Sequence, residues 1–178
     1  GVLIDGNVLN DSTNSSQIRR YAIYALGTNG ATISNNQIGN MSLTLAETVY
    51  PIYIATGVKN TTITGNTIAN ISNTNGGAYQ LVGLAFSPGA TGVNNTISNN
   101  TFSNISSNLT TVFTGLYVFG GNGVNINGNT FYKLTNSGAI GNTLAGAIAT
   151  NSSVTNVVIN NNTIRNLNCT AAGNFSGI

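Results

Sequence analysis

The sequence lacks most of the residues on which catalysis and ionic recognition depend. Its 178 residues include five Lys or Arg, three Asp or Glu, no His and no Trp, and the net charge is +2. Without histidine, a serine–histidine nucleophile cannot form within this segment. So few cations cannot neutralise a run of phosphates, and we therefore expect no nucleic-acid partner. No apolar run approaches the ~18 residues that span a bilayer, so we expect no membrane insertion.

Cysteine and acidic residues are equally sparse. The single Cys169 excludes an internal disulfide framework and any multi-cysteine metal site. The three acids are Asp5, Asp11 and Glu47. Glycosidases generally need two carboxyls facing one bond, and Asp5 occupies a position that later copies of a repeat fill with Ser, Thr or Asn. We therefore predict no catalytic residues, no metal and no cofactor, and we expect Asp5 to face solvent.

What the sequence does contain is a repeat. An apolar residue, any residue, Gly or Asn, Asn, any residue and a second apolar residue recur in that order, beginning at Ile4, Ile33, Ile63, Ile97, Ile126 and Ile159. The fourth position is always asparagine: Asn7, Asn36, Asn66, Asn100, Asn129 and Asn162. The position before it is always Gly or Asn, the residues that best tolerate a left-handed backbone. Each copy therefore predicts a bend between two short strands.

A second element follows each copy after a polar stretch. It begins as Ile23-Tyr24-Ala25 and Ile52-Tyr53-Ile54, and continues through Leu84, Leu116, Ala147 and Ile178. Two markers that share one period of 29 to 34 residues indicate a solenoid. The segments are short, β-branched and bounded by Gly, Asn and Ser, as strands are. Leucine-rich repeats are the main alternative, but this period is at or above theirs and the position five before Asn is not leucine.

The Ile-x-Asn-Asn-x-Ile segments, alternating with Gly-Ile-x-Val-like strands, resemble the parallel β-helix repeat of the pectin-lyase-like superfamily, including NosD-type and adhesin-like repeats. The resemblance implies an all-β, right-handed parallel β-helix of about six coils. We interpret residues 1–178 as a single segment of a longer solenoid, which further coils would continue along the axis. Expressed alone, such a segment is expected to associate end to end, because open solenoid ends need capping.

In a β-helix, equivalent residues stack at about 4.8 Å, and three columns follow from this spacing. We expect the six asparagines to form an internal ladder of hydrogen-bonded amides. We expect Ala147 to point inward with Leu116, and Ile148 to point outward. Tyr24, Tyr53 and Tyr117 should form an outward column, interrupted by Ala85, that could contact sugar rings.

The sequence predicts a structural or adhesive shaft of an extracellular or cell-surface protein, such as a filament or adhesin, with weak glycan binding and no enzymatic activity. Two alternatives remain open at this point. The chain could be a non-catalytic portion of a polysaccharide lyase or hydrolase, or part of a phage tailspike.

Overall fold

A computed structural model describes residues 1–10, 18–44, 46–139, 141–170 and 173–178. The described part of the chain contains strands and no helix. In chain order the strands are β1 (Leu3–Asp5), β2 (Val8–Asn10), β3 (Ile23–Ala25), β4 (Thr32–Ser34), β5 (Gln37–Leu43), β6 (Ile52–Ile54), β7 (Thr62–Thr64), β8 (Thr67–Asn73), β9 (Leu81–Phe86), β10 (Val93–Ser98), β11 (Thr101–Ser107), β12 (Phe113–Val118), β13 (Gly121–Asn127), β14 (Thr130–Asn136), β15 (Gly141–Thr150), β16 (Val154–Thr155), β17 (Val158–Asn160), β18 (Thr163–Cys169) and β19 (Gly173–Ser176).

The strands form three parallel sheets, and each turn of the chain contributes to all three. Sheet A has the order β1-β4-β7-β10-β13-β16, with β17 also paired to β13. Sheet B has the order β2-β5-β8-β11-β14-β18, and sheet C has the order β3-β6-β9-β12-β15-β19. The molecule is therefore an all-β parallel solenoid, as predicted. Three strands per turn and no helix in the described residues exclude the leucine-rich alternative.

The register places equivalent residues of successive turns directly above one another. On sheet A, Ile4 pairs with Ile33, which pairs in turn with Ile63, and the column continues to Ile159. From Ile33 to Ile126 these side chains are completely buried. On sheet B the second apolar column includes Phe102 and Phe131, whose rings stack 4.8 Å apart and almost parallel. The interior is a continuous apolar core running along the axis.

The asparagine ladder is confirmed. From each turn to the next, the side-chain amide Nδ2 donates to the following asparagine Oδ1 over 2.8 to 3.0 Å. The backbone N–H of each ladder residue donates to that same Oδ1 atom. The Nδ2 group also donates to an isoleucine carbonyl of the preceding turn, as Asn66 does to Ile33 over 2.9 Å. Each ladder amide from Asn36 to Asn129 therefore has partners for both its donors and its acceptor, which buried polar groups require.

Glycine and asparagine alternate strictly at the bend before the ladder: Gly6, Asn35, Gly65, Asn99, Gly128 and Asn161. All six have positive φ, between 53° and 67°. A Cβ atom built on Gly65 would lie 2.6 Å from Asn35 Oδ1, and one on Gly128 would lie 2.6 Å from Asn99 Oδ1. The asparagine side chain thus occupies the space over the glycine of the next turn.

The predicted outward orientation of Ile148 was wrong, whereas Ala147 is buried in the core. Leu116 pairs with Ile148, and Tyr117 pairs with Ala149, so the strand is shifted by one residue from the expected register. Ile148 is completely buried and belongs to the core. The segment Ala145–Ala149 contains only small and apolar residues, so it lacks the alternation of polar and apolar residues that fixes which face of a strand points inward.

Candidate functional site

The predicted tyrosine column lies on the outer face of sheet C. Tyr24 on β3 pairs directly with Tyr53 on β6, and their ring centroids are 5.4 Å apart. The column continues through Ala85 to Tyr117 on β12. The sequence therefore placed these residues correctly in one column, with the interruption at Ala85.

Three further rings, which the sequence analysis missed, extend this column into a broader surface. Tyr21 stacks with Tyr53 at 5.4 Å, and Tyr50 lies at the same distance from Tyr53. The ring centroid of Phe119 lies 3.8 Å from that of Tyr117 and 6.2 Å from that of Tyr50. We call the six rings the aromatic surface: Tyr21, Tyr24, Tyr50, Tyr53, Tyr117 and Phe119. The contact between Tyr50 and Phe119 joins its two parts across the turn in which alanine replaces tyrosine.

The rings differ in solvent exposure, which distinguishes those that support the surface from those that a ligand can reach. Tyr24 is 50% exposed and Tyr21 is 36% exposed, whereas Tyr50 is partly buried. The hydroxyl of Tyr50 donates a hydrogen bond to Gln80 Oε1. Burial, together with the neighbouring Tyr53, Tyr21 and Tyr117, raises the pKa of Tyr50 to about 12. Tyr50 therefore stays neutral and supports the surface, while Tyr21 and Tyr24 present their rings to solvent.

A small charged group borders the aromatic surface. Glu47 forms ion pairs with Arg19 over 3.3 Å and with Arg20 over 3.6 Å. The Arg20 guanidinium also lies 5.8 Å from the centroid of the Tyr21 ring. These side chains are largely exposed, so each ion pair contributes at most about 1 kcal/mol to stability. Their effect is to set charged hydrogen-bonding groups beside exposed rings.

The structure does not bring the described acids together. Asp5 lies on sheet A, where Ser34 Oγ donates to it over 2.6 Å and Asn35 Nδ2 over 2.9 Å. These hydrogen bonds, that of Ser34 first, lower the pKa of Asp5. Glu47 is bound to the two arginines beside sheet C, and Asp11 lies outside the described residues. Among the described residues, no three His, Cys, Asp or Glu side chains are grouped as metal ligands.

Comparison with protein-family models, with curated proteins and with solved structures found no match. Within the described ranges, the chain has no helix long and apolar enough to cross a membrane.

Proposed function

We propose that this chain is a structural and adhesive shaft of a secreted or cell-surface protein, and that its aromatic surface binds sugar rings weakly. The observation that carries the proposal is the aromatic surface itself. Its outermost rings are 36% and 50% exposed although the neighbouring strands bury their apolar side chains almost completely. Exposed aromatic rings on a rigid sheet fit ligands that have one apolar face and polar edges, as sugars do.

The ladder supports the structural part of the proposal. Each turn is joined to the next by side-chain amides as well as by the three sheets, and the apolar core is continuous. A column built in this way is stiff along its axis and can be lengthened by repeating the same turn. Such a column can hold a binding surface away from the layer to which a protein is attached.

The charged border supports the sugar-binding part. The Glu47 carboxylate and the Arg20 guanidinium lie next to the Tyr21 ring, where they could bond hydroxyl groups at the edge of a stacked sugar. We infer a neutral polysaccharide as the ligand, because the group carries charges of both signs.

The test is affinity electrophoresis through gels that contain a soluble neutral glucan. Replacing both Tyr21 and Tyr24 with alanine should weaken retention about 5- to 150-fold, since each aromatic contact contributes about 0.5 to 1.5 kcal/mol. The melting temperature should change little, because both rings are exposed. Val158→Ala is the matched control, since it removes an exposed apolar side chain from sheet A and should retain binding.

Two outcomes would contradict the proposal. If the double variant melts well below the parent chain and the parent is never retained, the aromatic surface has only a structural role. Turnover of a polysaccharide that survives both Asp5→Asn and Glu47→Gln would show that the chain is an enzyme.

A further inference from the structure

A second cluster lies on the outer face of sheet B, away from the aromatic surface. Tyr132 on β14 pairs with Arg165 on β18, and the Arg165 guanidinium lies 4.9 Å from the centroid of the tyrosine ring. The Lys133 ammonium lies 5.1 Å from the same centroid. We call these three residues the Tyr132 cluster. Two cations are therefore held against one ring.

Among the residues that the structure describes, no acidic side chain forms an ion pair with either cation, and Asp5 accepts from Ser34 and Asn35 on sheet A. The sequence contains no Asp or Glu after Glu47, and Glu47 is bound to Arg19 and Arg20. The face of the tyrosine ring attracts cations, but it does not cancel their net charge. The cluster is thus a local positive site in a chain with very few charges, and an anion near the Tyr132 ring would be attracted by both cations.

The backbone of Lys133 gives an independent indication that this residue is functional. Its φ is 53°, in the left-handed region that lysine rarely adopts. In the four other turns where the structure describes this position, it is an asparagine with positive φ: Asn40, Asn70, Asn104 and Asn166. Asparagine tolerates this conformation better. An unfavourable residue in a regular column is typical of a functional position rather than a structural one.

Lys133 also interrupts a surface ladder. Asn70 Nδ2 donates to Asn40 Oδ1 over 3.2 Å, and Asn104 Nδ2 donates to Asn70 Oδ1 over 3.1 Å. An asparagine at position 133 could continue this series. At this position a lysine beside Tyr132 therefore replaces a residue of the asparagine ladder.

A column of small side chains, which we call the trough, leads along the axis to the cluster. The residues in register with Tyr132 on the preceding turns are small: Gly39, Ala69 and Ser103. Around the first two is a groove of about 210 Å³, also lined by Gln37, Asn40, Thr67 and Asn70. Ala69 lies two turns from Tyr132, or about 10 Å at the usual strand spacing. A polymer lying in the groove could therefore extend along the trough to the cations.

We propose that the Tyr132 cluster binds a sulfate group of a polysaccharide that lies along this trough. A sulfate presents oxygens in several directions and can accept hydrogen bonds from the lysine and the arginine together, whereas a carboxylate better matches a single guanidinium. Two cations are too few for the repeated phosphates of a nucleic acid. The site differs in position and ligand from the aromatic surface, so it does not depend on the function proposed above.

The experiment compares three polymers with one backbone: dextran sulfate, carboxymethyl-dextran and unmodified dextran. The whole chain should bind dextran sulfate, more weakly as salt increases, because exposed charges are screened. Lys133→Asn and Arg165→Gln should each weaken this binding about tenfold, the effect of losing a hydrogen bond between charged groups. Lys59→Asn is the matched control, since it removes an exposed positive charge from another part of the coil and should bind as the parent does.

Lys133→Asn also separates binding from stability, because it restores the residue that the column otherwise uses. Its melting temperature should be equal to or higher than that of the parent while its affinity falls. Unchanged binding in both cluster variants, or an equal loss in Lys59→Asn, would overturn the proposed site. Equal affinity for carboxymethyl-dextran would overturn the choice of sulfate. Binding to neutral glucan concerns the aromatic surface alone. Its loss in the variant that lacks Tyr21 and Tyr24 therefore does not bear on the sulfate site.

Discussion

Replacing Asn66 with alanine is the sharpest test of what the internal ladder contributes to stability. Asn66 is completely buried in the middle of the column. Its Oδ1 accepts from the backbone N–H of Asn36 over 3.0 Å and from Asn36 Nδ2 over 2.8 Å. Its own Nδ2 donates to Ile33 O and to Asn100 Oδ1, each over 2.9 Å. Nδ2 also donates to Thr64 O over 3.2 Å, and the substitution removes all five contacts.

The cost follows from which partners are left unsatisfied. Asn100 Oδ1 keeps a donor, because the backbone N–H of residue 66 still reaches it. The backbone N–H of Asn36 and one hydrogen of its Nδ2 lose their acceptor inside the core. Each orphaned buried donor costs about 1 to 3 kcal/mol, so the free energy of unfolding should fall by about 2 to 6 kcal/mol. The sequence alone, without these partners, suggests only about 1 to 3 kcal/mol, the cost of a single unpaired group.

The assay is urea denaturation followed by far-ultraviolet circular dichroism. Asn125→Ala is the matched control, because Asn125 is exposed on β13 and its loss should change stability by no more than about 0.5 kcal/mol. Asn66→Asp gives a second measurement, since burial raises the pKa of the new carboxyl above its unfolded value. That variant should therefore be most stable at low pH and lose stability as pH rises through the folded pKa. If the free energy of unfolding fell no more in Asn66→Ala than in Asn125→Ala, the ladder amides would make no net contribution to stability.

Two further predictions concern packing and pH. A Cβ atom on Gly115 would lie 2.5 Å from Phe131 Cδ1. Gly115→Ala should therefore lower the free energy of unfolding by about 1 to 3 kcal/mol. Adding Phe131→Leu should restore part of that loss. No rescue in urea denaturation would exclude this contact as the cause. Since Ser34 and Asn35 lower the pKa of Asp5, its contribution to stability is present above its unfolded pKa, near 4, and is lost as pH falls through the lowered pKa. Asp5→Asn should flatten the dependence of the urea midpoint on acid pH, and an unchanged pH profile would contradict this reading.

Much of the fold could be predicted because the ladder position tolerates only one residue type. A side chain there must both donate and accept along the axis, so asparagine recurs from Asn7 to Asn162 and marks every turn. Those marks also fix the register of sheets A and B. The right-handed sense of the coil stays a prediction. In sheet C the prediction failed around Ile148, where small and apolar residues give no signal of which side chain points inward.

The candidate sites were harder to predict, because the repeat shows which residues are in register but not which outward side chains come close to one another. Tyr21 and Tyr50 each precede a strand and Phe119 follows one, so none of them lies in the strand-borne column of Tyr24, Tyr53 and Tyr117. Lys133 and Arg165 occupy different positions in their turns, so the repeat does not relate them. In the folded chain each lies near the ring of Tyr132.

The division between a fixed interior and a variable exterior explains where binding sites can arise on this fold. Successive ladder residues are separated by 29, 30, 34, 29 and 33 residues, yet their amide hydrogen bonds stay between 2.8 and 3.0 Å. Loops therefore absorb the differences in turn length and leave the column unchanged. An outward position can change without breaking an internal amide contact, as the sequence of alanine, serine, tyrosine and arginine from Ala69 to Arg165 shows. Both proposed sites use this freedom. For the same reason, substitutions in either site should alter binding with little effect on stability, whereas substitutions in the ladder should alter stability first.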